Sequence, residues 1–451
     1  MAAEATLTDL AVLLERFRAV RQASIDMCRP LAAEDYRIQP AAEVSPPWWN
    51  LGHTSWFFAR NLLLPLEGEY TDTDRQLDFL LNSYYVSLGP RVKRGNRGHM
   101  CRPTNEQILE YRHSVDERLE RLFETLPPER TDEAVFLLTV GIHHEQQHQE
   151  LFHTEIKAIY HQPPAPLRPV YRPSGESRQV EGPVEAPAPS RGEDLAQTTY
   201  TRFPGGAIRC GFEGPDWCWD NEQPAHEVYL TPFALANRPI TCGEFLEFLD
   251  DGGYRNPLLW LDNAWSMAEQ FEWDAPLYWQ RDEGRWWQFT LGGMKPIDPD
   301  EPVCHVSFYE ADAFARWRRE TFSEQGDVRL PTEYEWEHAA RSSGASTEQA
   351  NLLDSGRLHP RRIGQPDAEA GPQGMIGDVW EWTASYYQPY PGYRPFPGTL
   401  AEYNGKFMDN QRVMRGGSCL TTADHIRPTY RNFWSPETRF QMTGFRLAKE
   451  V

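Results

Sequence analysis

The sequence contains few cysteines, and their placement disfavours two classes of protein. The seven cysteines are scattered, their number is odd, and no two of them form a Cys-x-x-Cys pair. A disulfide framework and a structural zinc site on cysteines are therefore both disfavoured. The first residues contain neither the basic nor the apolar stretch of a signal peptide, so we expect a cytoplasmic protein.

Positive charge and long apolar runs are also scarce. The chain has 45 Lys and Arg against 66 Asp and Glu, a formal net charge of −21. This balance argues against a nucleic-acid or anionic-membrane partner. No run approaches the ~18 apolar residues of a membrane span. We expect small-molecule substrates instead, and the 16 tryptophans are suited to line such a site and to face cations.

The composition and the residue pattern of the chain change twice along its 451 residues. Residues 1–161 show helical periodicity and predict a four-helix bundle, with a long irregular connection between its second and third helices. Residues 162–198 are rich in Pro, Ser, Glu and Gly and predict an interdomain linker. Residues 199–451 contain short segments rich in Gly and Trp, and they predict a mixed domain. The expected fold class is therefore α+β, multidomain. Capping boxes predict three short helices in the last region, beginning after Thr241, Ser307 and Thr332.

The most informative stretch is a histidine pair in the fourth predicted helix. His144 and His148 stand four residues apart, so on a helix they share one face, where two imidazoles can bind one metal ion. His53, in an apolar stretch of another predicted helix, is a candidate third ligand. Three neutral imidazoles would leave open positions for substrate or oxygen, and this ligand type suits iron, zinc, copper or nickel.

Two other interpretations of the pair stay open. The stretch matches the H-E-x-x-H signature of zinc peptidases, in which Glu145 would be the general base. Alternatively, the histidines are structural and the protein is a non-catalytic binding module. Gln147 and Glu150 are placed to hydrogen-bond metal-bound imidazoles, which favours a metal site.

Several segments together resemble one enzyme family. Its DinB-like half is matched by Leu51-Gly52-His53-Thr54, Trp56-Phe57-Phe58, Asn82-Ser83-Tyr84-Tyr85 and the run from His144 to Glu150. These segments resemble the sulfoxide synthases of ergothioneine biosynthesis. The second half of the chain resembles the formylglycine-generating-enzyme fold, a C-type-lectin-like domain. The segments that carry this second resemblance are Phe203–Gly206, Arg329–Glu337, Gly377–Thr383, Arg415–Ser418 and Gly444–Leu447.

The resemblance implies a mononuclear non-haem iron(II) enzyme. Such an enzyme uses O2 to join a thiol sulfur to C2 of the imidazole ring of hercynine, and it oxidises that sulfur to a sulfoxide. The implied iron ligands are His53, His144 and His148. The implied substrate contacts are Gln147, near the hercynine imidazole, and Asn432 and Phe433, in the segment that holds hercynine.

The sequence departs from the actinobacterial pattern of this family at two positions. Leu400, three residues before Tyr403, stands where that pattern has its catalytic tyrosine, and Trp434 replaces an aspartate that contacts the thiol. Both differences resemble a second type of the family. In that type the pair matching Tyr84 and Tyr85 supplies the catalytic hydroxyl, and free cysteine is the sulfur donor. We therefore expect Tyr84 and Tyr85 to be catalytic.

The identity of the sulfur donor stays open at this stage. Arg91 and Arg94 match positions that bind a substrate carboxylate in family members that use γ-glutamylcysteine, and guanidinium groups pair well with carboxylates. Cysteine is favoured, while γ-glutamylcysteine, another thiol or a selenium donor are alternatives. The copper-binding cysteine pair of formylglycine-generating enzymes is reduced to Cys419, which argues against that activity.

Overall fold

The computed structural model describes residues 7–173, 198–322, 327–363 and 371–451. The chain divides into two compact units. The first contains Met1–Arg178 and Pro395–Tyr403, and the second contains Gln179–Arg394 and Asn404–Val451. The predicted linker, residues 162–198, lies mostly outside the described residues. No helix in the described ranges combines the length and apolar character that crossing a lipid bilayer requires.

The first unit is helical. Its helices are α1 (Leu7–Cys28), α2 (Pro47–Phe58), α3 (Leu64–Glu67), α4 (Asp72–Leu81), α5 (Asn105–Thr125) and α6 (Thr131–His161). A π-helical turn, Ala59–Leu63, joins α2 to α3. Shorter 3-10 helices include Val86–Leu88, Arg94–His99 and Gly398–Glu402. The last of these belongs to the segment Pro395–Tyr403, which the chain contributes to this unit from far along the sequence.

Helix α2 is the centre of the first unit, because every one of its residues is buried. It begins with Pro47 at its first position, where proline loses no hydrogen bond and its fixed φ suits the helix. The helix is therefore buried around its whole circumference, and polar residues such as Asn50 and His53 lie in the core with its apolar ones. Its neighbours are α5 and α6, and α6 also packs against α1.

Helix α4 corrects the prediction of a wholly irregular connection between the second and third bundle helices. Thr71 caps it, and the Thr71 hydroxyl and the Asp74 side chain form a complete capping box. Asp74 is buried and accepts a hydrogen bond from Arg118 of α5 at 2.8 Å. This ion pair ties α4 to the bundle.

The second unit combines helices with four small sheets. Its helices are α7 (Cys242–Asp250), α8 (Asp262–Gln270), α9 (Phe308–Thr321) and α10 (Glu333–Ser342). Its strands are β1 (Tyr200–Phe203), β2 (Gly206–Cys210), β3 (His226–Leu230), β4 (Phe233–Ala236), β5 (Trp279–Asp282), β6 (Arg285–Thr290), β7 (Gly293–Pro296), β8 (Val328–Arg329), β9 (Trp380–Tyr386), β10 (Arg412–Arg415), β11 (Asn432–Trp434), β12 (Thr443–Gly444) and β13 (Ala448–Glu450).

The strands pair mostly antiparallel. The strand orders are β1-β4-β13-β8, β11-β10-β9-β12, β2-β3 and β5-β6-β7, and β12 runs parallel to β9. The capping boxes at Thr241, Ser307 and Thr332 open α7, α9 and α10, as predicted. A helical first unit and a sheet-containing second unit confirm the α+β, multidomain class.

Gly141 allows α2 and α6 to approach closely beside the histidine pair. A Cβ atom at this position would lie 2.2 Å from Cε1 of the Phe58 ring. Phe58 is 1% exposed, so its ring has little room to move away. The glycine therefore sets the spacing between the two helices that carry the candidate ligands.

Gly141→Ala should destabilise the protein by about 1–2 kcal/mol, because the clash with a buried ring costs ~2–3 kcal/mol, the upper part of the usual range for overpacking, and alanine regains only ~1 kcal/mol in helix propensity. Thermal unfolding of the full chain checks this, with Ser114→Ala on the exposed face of α5 as the control. An unchanged or higher melting temperature for Gly141→Ala would show that the helices are not in tight contact here.

Candidate metal centre

Three histidines from two helices of the first unit converge. His53 lies on α2, and His144 and His148 lie one turn apart on α6. Within the described residues they form a group whose candidate ligand atoms all lie within 4.8 Å of one another. The ring centroids are 4.6 to 5.0 Å apart. His53 and His144 are at most 2% exposed, so two of the three imidazoles lie in the core.

The hydrogen bonds of His53 determine which of its nitrogens can bind a metal. Nδ1 lies 2.6 Å from the carbonyl oxygen of Leu81. A carbonyl only accepts, so Nδ1 carries the proton and Nε2 presents a lone pair. That Nε2 is buried and has no hydrogen-bond partner, and the same holds for Nδ1 of His144. Buried nitrogens left unpaired in this way fit a site that holds a metal ion.

The His148 ring is oriented by a polar pair that the sequence did not indicate. Asn50 is buried on α2, and its Nδ2 donates to the carboxyl group of Glu155. Its Oδ1 therefore faces Nδ1 of His148, at 2.9 Å, and leaves Nε2 of His148 for a metal. The other oxygen of Glu155 accepts from the Ser45 backbone N–H at 2.8 Å. Metal-binding imidazoles are commonly oriented by such partners.

The imidazoles are held in their neutral form. Burial lowers the pKa of His53, His144 and His148 well below the usual histidine value, and repulsion from the neighbouring imidazole adds to the effect. Neutral imidazole is the form that binds a metal. The donor set therefore fits an ion such as iron, zinc, copper or nickel.

Aromatic rings enclose the histidine cluster. The Trp49 ring stacks on His53 at 4.5 Å with an interplanar angle of 11°, and Trp56 lies at 5.6 Å from His53. Phe57 stacks on His144 at 3.9 Å. These contacts limit rotation of the imidazoles and keep the surroundings apolar.

The carboxylate of Glu145, the candidate base of a zinc peptidase, is held by two arginines and a serine. Its carboxylate pairs with Arg112 and with Arg21, the latter at 3.0 Å, and it accepts from the Ser24 hydroxyl at 2.6 Å. Burial opposes its ionisation, but the two guanidinium groups outweigh burial and lower the pKa of Glu145. A peptidase base has to take a proton from metal-bound water. This carboxylate instead joins α6 to α1 and α5.

The predicted tyrosine pair lies next to Trp56, one of the aromatic rings that enclose the histidine cluster. The rings of Tyr84 and Tyr85 stack at 4.6 Å, and the Tyr85 ring lies 5.9 Å from Trp56. Tyr85 is fully buried. Burial, followed by the nearby Tyr84 and Tyr403, raises the pKa of Tyr85 well above its usual value. The phenol therefore keeps its proton near neutral pH.

Gln147 contacts a residue from the far end of the chain. The Tyr403 hydroxyl donates to Oε1 of Gln147 at 2.5 Å, and the Tyr403 ring lies 5.9 Å from His144. It also meets Tyr84 at 6.3 Å. Leu400, in the 3-10 helix just before Tyr403, is buried. The hydrogen bond between Tyr403 and Gln147 spans 256 positions, so no local sequence pattern predicts it.

Arginines of the loop after the tyrosines affect the cluster electrostatically. After burial and His144, the charges of Arg97 and Arg94 contribute to the low pKa of His148. Arg97 is buried, donates to the Ser45 hydroxyl at 2.8 Å, and places its guanidinium 3.3 Å from the centre of the Trp49 ring. Arg91, which with Arg94 is a predicted substrate contact, is partly exposed on the same loop.

The remaining predicted contacts lie in the second unit, on β11. Phe433 stacks on Tyr387 at 4.0 Å, and Trp434 packs edge-on against Phe440 at 5.1 Å. Oδ1 of Asn432 accepts from the Phe433 backbone N–H. This strand therefore offers an aromatic face and an amide in its own unit.

Comparison with known proteins gives two family matches and several relatives. Residues 16–152 match the DinB superfamily, and residues 186–451 match the sulfatase-modifying factor enzyme 1-like domain. A protein named hercynine oxygenase from Mycolicibacterium smegmatis is 33% identical over 352 residues, which is 73% of this chain and 74% of the relative. Another hercynine oxygenase, from Mycolicibacterium thermoresistibile, is 36% identical over 253 residues. That match covers 51% of this chain and 54% of the relative, so the chain spans about half of that relative's length.

A relative with a different printed name is also found. A formylglycine-generating enzyme from Streptomyces coelicolor is 27% identical over 322 residues, covering 62% of this chain and 96% of the relative. A DinB-type bundle that contains a cluster of three histidines, joined to a formylglycine-generating-enzyme-like domain, defines the class of protein. Because 74% of the Mycolicibacterium smegmatis relative is matched at 33% identity, the chain belongs to the hercynine oxygenases, the oxidative enzyme family of ergothioneine sulfoxide synthases.

Asn50→Leu should weaken metal binding about ten- to a hundredfold, because the substitution removes the partner that orients His148. Anaerobic competition titration of Co(II) and Fe(II) against a chelator measures this. Asn263→Leu, on the exposed face of α8, is the matched control. Equal affinities in wild type and Asn50→Leu would mean that Asn50 does not orient a ligand.

Proposed function

We propose that the protein is an iron(II)- and O2-dependent sulfoxide synthase that joins a thiol sulfur to C2 of the hercynine imidazole. The observation that supports this most is the cluster of three neutral imidazoles, two of which have a buried nitrogen without a hydrogen-bond partner, in a chain related to proteins named hercynine oxygenase. The reaction balances with one O2: the thiol S–H and the ring C–H are lost, the C–S bond forms, one oxygen atom enters the sulfoxide, and the other leaves as water.

Three imidazoles without a carboxylate suit a reaction in which several small ligands share one metal. The ligand type alone admits several metals, and the oxygenase names of the relatives favour iron with O2. When bound, iron(II) would transfer electrons to O2 and lower the pKa of the thiol. His53, His144 and His148 would hold it, and Trp49 and Phe57 keep the surroundings apolar.

The tyrosines are assigned the proton-donating role. Tyr85 retains its hydroxyl proton beside the cluster, because burial raises its pKa, and the Tyr84 ring stacks on it. A positioned hydroxyl can donate a proton or a hydrogen atom where the sulfur and O2 react. This favours C–S bond formation over dioxygenation of the thiol. Gln147, held by Tyr403, is assigned to the hercynine imidazole.

The charged parts of the substrates match two groups of residues. For the thiol substrate, Arg91 and Arg94 offer guanidinium groups to a carboxylate. Cysteine is the favoured donor, because Leu400 and Trp434 follow the pattern of the cysteine-using type of the family. For hercynine, the Phe433 face suits a trimethylammonium group, which cannot be hydrogen-bonded, and Asn432 supplies an amide.

Protein loaded with iron(II) without oxygen should form hercynyl-cysteine sulfoxide once O2, hercynine and cysteine are supplied, as measured by mass spectrometry. In direct competition, cysteine should be consumed faster than γ-glutamylcysteine. Cysteine sulfinate alone, or no product at all, would refute the proposed reaction. Preference for γ-glutamylcysteine would refute only the assignment of the donor.

Replacing the catalytic hydroxyl should change the product as well as the rate. Tyr84→Phe or Tyr85→Phe should slow sulfoxide formation by about 10²–10⁴-fold, the usual range for loss of a general acid, and divert thiol to sulfinate. Tyr229→Phe, at a residue 76% exposed on β3, is the control. If both variants keep the wild-type ratio of sulfoxide to sulfinate, neither tyrosine is the donor.

A further inference from the structure

The loop that carries Tyr84 and Tyr85 is bonded to a carboxylate from the far end of the chain. Glu402 ends the 3-10 helix Gly398–Glu402, within the part of the first unit supplied by Pro395–Tyr403. Its Oε2 accepts from the Val86 backbone N–H at 2.9 Å, and its Oε1 accepts from the Ser87 backbone N–H at 2.9 Å. The Ser87 hydroxyl also donates to Oε1. One side chain thus binds the two residues that directly follow the tyrosine pair.

A second set of hydrogen bonds holds the tyrosine pair from its N-terminal side. Oδ1 of Asn82 accepts from the Tyr85 backbone N–H at 3.1 Å, and its Nδ2 donates to the Tyr85 carbonyl at 2.9 Å. Asn82 is 1% exposed. The two tyrosines therefore lie between an asparagine supplied by their own loop and a carboxylate supplied by a distant segment.

The segment that carries Glu402 is itself held against the bundle. The Thr399 hydroxyl donates to Oδ1 of Asn61 at 2.6 Å, on the π-helical turn after α2. Phe396 packs edge-on against Phe136 of α6 at 5.3 Å. With the Tyr403 hydrogen bond to Gln147, these contacts fix the position from which the Glu402 carboxylate reaches the loop.

We propose that Glu402 is a positioning residue that holds the Tyr84–Tyr85 loop in its productive conformation. The inference rests on the proposed function, since it takes this tyrosine pair as the source of the hydroxyl. Hydrogen bonds to a charged acceptor are stronger than neutral ones, and a carboxylate that receives two backbone N–H groups fixes direction as well as distance. A hydroxyl that loses this support reaches the reacting atoms less often, which lowers the rate of the step it serves.

Hydrogen exchange tests the contact without any turnover. In Glu402→Ala, the amides of Val86 and Ser87 should exchange about tenfold or more faster, because each loses a hydrogen bond to a charged acceptor. Glu402→Gln keeps the size and one acceptor oxygen, so its exchange should be intermediate. Glu110→Gln, on the exposed face of α5, is the control for a lost charge. Wild-type exchange at both amides in Glu402→Ala would overturn the proposal.

Product analysis tests whether the contact serves the chemistry. The sulfoxide-to-sulfinate ratio should fall in Glu402→Ala and recover partly in Glu402→Gln, while iron affinity and melting temperature stay at wild-type values. An unchanged ratio together with faster exchange would overturn the positioning role. If the wild-type protein forms no sulfoxide, the proposed function fails, and the proposal for Glu402 fails with it even where the exchange result establishes the contact.

Discussion

Three imidazoles that share one small buried region, with ring nitrogens left unpaired, are the constraint on which the first unit depends. An unsatisfied buried polar atom costs ~1–3 kcal/mol. Here Nε2 of His53 and Nδ1 of His144 are both in that state, side by side. Burial also prevents the usual relief by protonation, because it lowers the pKa of all three rings. One metal ion would bind these two nitrogens together with Nε2 of His148, so the arrangement fits a metal site.

The surrounding structure holds this arrangement in place. Gly141 lets α6 approach Phe58 of α2, so that ligands from two helices can meet. The Leu81 carbonyl and Oδ1 of Asn50 each accept a hydrogen bond from the ring N–H of one histidine, which leaves the other ring nitrogen for a metal. Glu145, although it lies between the paired histidines in sequence, is used to join three helices through two arginines. The same short motif thus divides its side chains between the metal site and the support of the bundle.

Local patterns carried most of what the sequence could predict. The spacing of His144 and His148, and the capping boxes that open α7, α9 and α10, depend on residues three or four apart, and such signals survive without tertiary context. Helix α4 was missed because its first half, residues 72–76, contains no apolar residue, and because the buried ion pair between Asp74 and Arg118 joins positions 44 residues apart. The contacts of Asn50 with Glu155, of Tyr403 with Gln147 and of Glu402 with Val86 join positions about 100 to more than 300 residues apart. Rules based on the spacing of residues in the sequence do not predict such contacts. The family resemblance indicated only the position of Tyr403.

Anomalous diffraction at the iron absorption edge, on crystals of the full chain grown with iron(II) without oxygen, tests the central claim most directly. The account predicts one strong peak at bonding distance from a ring nitrogen of each of His53, His144 and His148. A peak that lies elsewhere, or one bound by the two histidines of α6 but not by His53, would contradict it.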